Sequence, residues 1–238
     1  MTDRLKDRLA LVTGASRGIG RAVALALAAE GAHVILLART VGGLEEVDDE
    51  IQKAGGKATL VPLDLTDYDA LDRLGATIFG RWGKLDILIG NAGILGPLTP
   101  ITHVSPDEFD KVLAINVTAN YRLIRSLDPL LQRSDAGRAV FLTSGAAHKC
   151  KPFWGPYSVT KAALQAMVKT WAHETEKTEL RVNLLSPGPV ATQMRAKAMP
   201  GEDPKTLPKP EDLTGLFIDL VSLECTQHGD IVAFERTT

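Results

Sequence analysis

The feature that most constrains this chain is an alternation repeated three times near its start: a short unbroken apolar run, then a segment with helical spacing. "RLALVT" leads into "GRAVALALAAEG", "HVILLA" into "LEEVDDEIQKAGG", and "ATLVPL" into a helical stretch from about Asp67. The runs are apolar throughout rather than alternating, as expected of strands in a parallel sheet covered on both faces. In the second helical segment Leu44, Val47, Ile51 and Ala54 recur at helical spacing, and a glycine pair closes it. These are βα units.

The same reading continues along the chain. "LDILIG" predicts a fourth strand, and Ser105 with Pro106 supplies an N-cap and first-turn proline for a long helix to about Arg133, which Pro129 is expected to bend or end. "GRAVFLT" predicts a fifth strand, a helix follows from near Gly155 to about Thr178, and "LRVNLLS" makes a sixth strand. "PEDLTGLFIDLVSL" then predicts a helix and "GDIVAFE" a last short strand. The proline-rich segment from about 188 to 210 breaks the pattern and is expected to be an irregular loop beside the site, with a short helix around 192–199.

Composition narrows the class of partner. The 238 residues fit one large domain over 1–238. A net charge of -2, with no basic tail, gives no electrostatic reason to expect nucleic acid. No apolar run is long enough to span a bilayer, and the N-terminal residues carry acidic groups and reach a strand too soon for a signal peptide. Cys150 and Cys225 lack metal-ligand spacing and are read as reduced thiols, so no metal and a cytoplasmic location are expected.

The first strand runs into "VTGASRGIGRAVALALA". Gly14, Gly18 and Gly20 permit a tight turn and close backbone approach, so that the N-terminus of the next helix can face a diphosphate. Strand, glycine turn and helix in this order are what a dinucleotide-binding turn requires. After the second strand, where a carboxylate would bind the ribose hydroxyls of NAD, the chain has Arg39 in "LLART". An arginine suits a 2′-phosphate, and Arg17 within the glycine turn offers a second cation, which favours NADP(H) over NAD(H). The alternative is two solvated arginines on loops.

In "WGPYSVTKAAL" Tyr157 and Lys161 lie four apart at the start of a helix, a spacing equally compatible with a surface pair. Around them TGASRGIG, Asn91-Ala92-Gly93, Asn116, Ser144 thirteen residues before Tyr157, and Pro187-Gly188 all occur in order. On these motifs the chain, from about Arg8 to Met194, resembles the short-chain dehydrogenase/reductase family. It is similar to a bacterial branch labelled oxoacyl-(acyl-carrier-protein) reductases.

The resemblance implies an α/β fold: a single doubly wound Rossmann domain with a mainly parallel seven-stranded sheet. It implies hydride transfer between nicotinamide and a carbonyl or secondary alcohol, with Asn116, Ser144, Tyr157 and Lys161 as catalytic residues. Tyr157 would exchange the proton, and a nearby Lys161 ammonium should lower its pKa and also reach the nicotinamide ribose. Ser144 would hydrogen-bond the substrate oxygen, and Asn116 would help hold a water near Lys161. Cofactor contacts are implied for Gly14, Ser16, Arg17, Gly18, Ile19, Gly20, Arg39, Asp64, Leu65, Asn91, Ala92, Gly93, Tyr157, Lys161, Pro187, Gly188, Val190 and Thr192. Asp64 would recognise the adenine amino group, or alternatively act as a helix N-cap.

Three departures and two rival readings accompany the match. Gly90 precedes Asn91 where many relatives carry another Asn, and His228-Gly229 stands where relatives often have Thr-Gly. The usual Val-Asp-Gly-Gly ending is absent, although the two long helices resemble the pair that forms the family's common subunit contact, so a homodimer or homotetramer is expected. Phe153, Trp154, Val190, Met194 and Met199 are candidates for an apolar substrate pocket. The rivals are a non-catalytic NADP-sensing regulator, against which the complete tetrad argues, and a sugar-nucleotide epimerase or dehydratase, for which the chain lacks room for a substrate domain.

Overall fold

The computed structural model describes residues 3–235. Seven strands form one sheet: β1 (Leu9–Thr13), β2 (His33–Ala38), β3 (Lys57–Pro62), β4 (Ile87–Gly90), β5 (Arg138–Leu142), β6 (Arg181–Ser186) and β7 (Ile231–Ala233). Their spatial order is β3-β2-β1-β4-β5-β6-β7. Every neighbouring pair is parallel, so the expected mainly parallel sheet is wholly so. Each strand feeds a crossover that returns the chain to the same sheet end, which is what parallel pairing demands.

Alternate residues of each strand serve two cores. Ala10, Val12, Val34 and Leu36 face α1 (Gly18–Ala29), α2 (Val41–Lys53) and α9 (Thr214–Val221), whose Val23, Leu27, Leu44, Val47, Ile51 and Phe217 are buried against them. Leu9, Leu11, Ile35 and Leu37 face α3 (Tyr68–Trp82), α5 (Ala119–Leu131) and α7 (Gly155–Glu174), which contribute Leu71, Leu123, Leu127 and Leu164. That double coverage explains why the strands read as unbroken apolar runs. No helix among the described residues is long and apolar enough to cross a membrane, and both cysteines are free thiols.

Several helix ends differ from the sequence reading for identifiable reasons. The long helix starts as α4 (Pro106–Leu113) under a capping box between Ser105 and Glu108, then widens into one π-helical segment, Ala114–Thr118, before continuing as α5. Pro129 lies in the last turn of α5, where its missing N–H removes a bond to the preceding turn, and the helix stops two residues on at Leu131. A single turn, α6 (Ala146–Lys149), intervenes between β5 and α7. α7 stops at Glu174 because the Thr175 hydroxyl donates back to the carbonyls of Trp171 (2.8 Å) and Ala172 (3.2 Å). The segment before α9 is a tighter 3₁₀ turn over Pro210–Leu213. Asp67, not Asp64, caps α3 by accepting from the Ala70 N–H at 3.0 Å.

The departures near β4 and β7 have local partners. Gly90 sits opposite Phe141 in the β4–β5 register, and a Cβ at Gly90 would come within 2.2 Å of the Phe141 ring. His228 bridges two elements: Nδ1 accepts from the Val182 N–H (3.1 Å), and Nε2 donates to the Ala172 carbonyl (2.6 Å) at the end of α7. That pairing selects the neutral Nε2–H tautomer.

Candidate active site

The strand order reverses between β1 and β4, and in an open α/β sheet ligands bind outside the carboxyl ends of the strands at such a point. Thr13, the last residue of β1, holds this junction together. Its buried hydroxyl donates to the Ile89 carbonyl (3.2 Å) and accepts from the N–H groups of Asn91 and Ala92 (3.0 Å each). The Asn91 amide donates back to the Thr13 carbonyl at 2.8 Å. Sequence reasoning passed over Thr13; its signal was a lone polar residue closing an apolar strand.

The glycine turn crosses this junction. Gly14 and Gly18 adopt φ of +66° and +56°, in the left-handed region. A Cβ at Gly20 would approach the Gly14 carbonyl oxygen to 2.3 Å and Asn91 Nδ2 to 2.4 Å, so the turn and the first helix can meet only with glycine there. α1 begins at Gly18 with no side-chain cap, leaving first-turn N–H groups for an anion. Ser16 approaches the first turn of α2 at Gly43, and Ile19 packs against the core. Arg17 is exposed and donates to Gln193 Oε1 at 3.1 Å.

Arg39, largely exposed after β2, reaches Asp64 Oδ2 at 3.6 Å. Asp64 Oδ1 also accepts from the Thr66 N–H (2.9 Å) and hydroxyl (2.8 Å), and these bonds, with Arg39 adding less, hold its carboxyl below the usual range. Leu65 turns toward the α3-side core. Arg39 and Asp64 therefore stand together at the carboxyl ends of β2 and β3, one a cation and one an acceptor.

On the other side of the junction four polar groups converge. Tyr157 is 8% and Lys161 4% exposed, both on the inward face of α7. Ser144, two residues past β5, is hydrogen-bonded to the Tyr157 hydroxyl and accepts from the Ala146 N–H at 3.2 Å. Lys161 Nζ donates to the Leu142 carbonyl at 2.7 Å, and a Cβ on Gly93 would lie 3.7 Å from it. Asn116, in the π-helical segment, accepts from the Ile94 N–H (2.8 Å) and donates to the Ile94 carbonyl (2.9 Å) and Thr160 (3.0 Å). Its amide thus fixes the loop after β4 beside Lys161. Thr160 completes the link by donating to the Tyr157 carbonyl at 2.9 Å; nothing but its place beside Lys161 marked it in the sequence.

Electrostatics corrects one expectation. The Tyr157 pKa is raised rather than lowered: burial disfavours the phenolate and outweighs the opposing hydrogen bond from Ser144. Lys161 does not reverse this, because its ammonium is bonded to Leu142 and stands 5.7 Å from the Tyr157 ring centroid. Burial pushes Lys161 itself down to about 8.

The segment after β6 closes the site. Gly188 turns at φ +68°, Pro187 precedes it, and the Val190 side chain is buried in the core. Thr192 caps α8 (Gln193–Ala198), the predicted short helix, by accepting from the Arg195 N–H at 3.2 Å. Its methyl lies 3.7 Å from where a Cβ on Gly18 would be, so this loop touches the glycine turn. Arg195 clips the loop to Glu202 through two bonds of 2.6 and 2.7 Å.

The expected apolar group is only partly gathered. A cavity of about 550 Å³ is lined by Phe153, Ile101, Pro100 and the Ser158, Val159 and Ala162 face of α7. Trp154 packs instead on Tyr157, and Met194 and Met199 are partly exposed on the loop.

A doubly wound parallel sheet with a glycine turn at its switch point and Ser144 beside the buried Tyr157 and Lys161 defines a dinucleotide-dependent oxidoreductase. The chain belongs to the short chain dehydrogenase family, whose model matches residues 8–203, and is an NAD(P)-dependent oxidoreductase. It is 37% identical over 222 residues to the oxidoreductase YciK of Escherichia coli K12, covering 92% of this chain and 88% of that protein. It is 34% identical over 191 residues to a 3-oxoacyl-[acyl-carrier-protein] reductase of Synechocystis, covering 80% and 77%. The solved structure of a short chain dehydrogenase from Shigella flexneri 2a, complexed with NADP, superimposes with a TM-score of 0.94. That pair shares 37% identity, and the match covers 98% of this chain and 99% of that one.

Proposed function

We propose that the protein is an NADP(H)-dependent carbonyl reductase, or secondary-alcohol dehydrogenase in reverse, in which Tyr157 exchanges the proton at the substrate oxygen. The observation that carries the reading is the convergence of Ser144 with the buried Tyr157 and Lys161, Ser144 bonded to the phenol and Lys161 Nζ 5.7 Å from its ring, beside the glycine turn. The junction of Thr13, Asn91 and the first turn of α1 is built to receive a diphosphate, and the backbone at Gly14 and Gly20 leaves no room for side chains where it would approach. Nicotinamide supplies the hydride when bound. Ser144 orients the substrate oxygen toward Tyr157, and Lys161 supplies positive charge behind the phenol as proton density leaves it. Asn116, tied to Ile94 and Thr160, positions the β4 loop against Lys161. Gly93, Pro187, Gly188 and Thr192 form the nicotinamide side of the crevice, and Asp64 and Leu65 the adenine side.

NADP(H) is preferred over NAD(H) in this reading because Arg39 and Arg17 stand at the β2 end and the glycine turn without a carboxylate dedicated to ribose. The NADP complex of the Shigella protein supports it. A 3-oxoacyl substrate is the first to test, on the likeness to the Synechocystis reductase. Fluorescence titration with NADPH and NADH, followed by turnover of ketones, aldehydes and a 3-oxoacyl thioester, tests the assignment. Tyr157→Phe is expected to abolish turnover while leaving NADPH affinity within a few-fold of wild type; near-normal turnover by that variant would exclude the mechanism.

The long helices also offer a self-association surface, with Tyr121 of α5 and Val159 of α7 exposed. A dimer or tetramer through these faces is proposed. Sedimentation equilibrium should give a multiple of the 25.6 kDa chain, and Val159→Glu should shift the mass toward one chain.

A further inference from the structure

We propose that Trp154 is a positioning residue for the proton-exchanging Tyr157, held in place by a strained turn at the start of α7. The proposal rests on the reading of Tyr157 given above, and three observations carry it. Trp154, Tyr157 and Lys161 stand at spacings of three and four, which on a helix is one continuous stripe. Within that stripe the rings of Trp154 and Tyr157 meet edge to face, with centroids 5.9 Å apart and planes at 65°, while Lys161 Nζ lies 5.7 Å from the same phenol ring. The Tyr157 ring thus has both an indole and an ammonium as neighbours, and its hydroxyl is left to Ser144.

The third observation is the backbone leading into this contact. Cys150 (φ +41°) and Phe153 (φ +74°) are both non-glycine residues in the left-handed region, three positions apart with Pro152 between them. A bulky residue such as Phe is held there only when its surroundings over-determine it, and such strain concentrates at functional sites. The surroundings are present: the Trp154 N–H donates to the Lys151 carbonyl at 3.2 Å, and the Ile101 side chain stands 3.1 Å from where a Cβ on Gly155 would be. The turn leaves Phe153 55% exposed and directs the next residue inward. The residue that follows this turn is the one whose ring meets Tyr157.

The contact acts on orientation and on water. Aromatic edge-to-face pairs have a preferred geometry, so the indole restricts the phenol ring. The indole also covers part of the ring and keeps water from it, adding to the burial that disfavours the phenolate. Removing it should both loosen the phenol and ease its ionisation.

Trp154→Leu and Trp154→Phe, neither touching the cofactor turn, are the test. Tyrosinate absorbance is followed against pH in each, with Tyr157→Phe subtracted to remove Tyr68 and Tyr121. In Trp154→Leu the Tyr157 midpoint should fall by about half a pH unit or more, and kcat by about tenfold, with the KM for NADPH unchanged. Trp154→Phe keeps a smaller ring and should shift the midpoint in the same direction but less, and it carries the test by itself if the leucine chain does not fold. The proposal is overturned if neither variant moves the midpoint, or if phenylalanine moves it as far as leucine. Absence of turnover in the wild type would count against the enzymatic reading, while the midpoints would still decide the role of Trp154.

Discussion

At the scale of single residues, Lys161 shows how a buried charged group can weaken the fold that holds it. Its ammonium is buried with one protein acceptor, the Leu142 carbonyl, and burial lowers its pKa from 10.5 to about 8. Below pH 8 the folded and unfolded chains both carry the charge, and the folded one bears the full desolvation cost. Between about 8 and 10.5 the unfolded chain binds more protons, so this group makes the fold more stable as pH rises. Lys161→Met removes the charge and should melt higher than wild type at about pH 7. Because the methionine does not titrate, its advantage should narrow across pH 8 to 10.5 in thermal melts. An advantage that stays constant with pH would mean that the ammonium is solvated in the folded protein. The same residue therefore trades stability for a positive charge near the Tyr157 ring, the charge that the proposed mechanism uses.

At the scale of elements, the pairing of β4 with β5 explains why a glycine stands at position 90. The Phe141 ring fills the space a Cβ would take and meets Trp171 of α7 edge-on at 6.3 Å, so the two strands and α7 share one packing solution. Gly90→Ala should overpack this site and cost about 1–3 kcal/mol. Gly90→Ala with Phe141→Leu should recover most of that loss, and urea unfolding of the two singles and the double would measure the coupling. If the losses add, the ring and the glycine are independent. The glycine was legible in the sequence as a departure, but its partner was not, since strand register brings together residues far apart in the chain. The same limit applies elsewhere. Strand and helix order could be read because buried parallel strands and helical spacing leave local patterns, and the proposed catalytic residues could be picked out because their motifs are local. The link from Asn116 to Thr160, the turn of Trp154 onto Tyr157 and the burial that raises rather than lowers the Tyr157 pKa depend on packing between distant segments. The burial of Val190 belongs with these, since an apolar residue in a loop gives no sign of which side it faces.

At the scale of the molecule, chemistry and anchoring lie at opposite ends of the sheet. The site occupies the carboxyl ends of the strands, where loops must part for ligands, while the amino ends are bound by buried charge. Arg8, ahead of β1, donates to the carbonyls of Val221 (2.7 Å), Asp86 (3.2 Å) and Ala136. Arg138, opening β5, donates to those of Ser222 (3.0 Å), Leu223 (3.1 Å) and Glu179 (3.2 Å). Between them Asp86, 2% exposed, accepts from the Leu9 N–H (2.9 Å), Lys84 (2.8 Å) and Ser134 (2.5 Å). Burial alone would raise the Asp86 pKa, but the bonds from Lys84, Ser134 and Leu9 together hold it below the ordinary 3.8. The carboxylate thus stabilises the fold above pH 3.8, and that contribution is lost as pH falls through its lower folded value. Asp86→Asn keeps the shape but exchanges charge-assisted bonds for weaker or mismatched ones, at a cost of about 1–3 kcal/mol. For a domain of this size that corresponds to a melting point lower by roughly 3–10 °C at neutral pH. The difference should shrink in acid, where the wild type loses its own carboxylate, and NADPH affinity should stay within a few-fold because the clamp lies at the far end of the sheet. A variant that melts like wild type at neutral pH would show that the two arginines anchor these ends without Asp86.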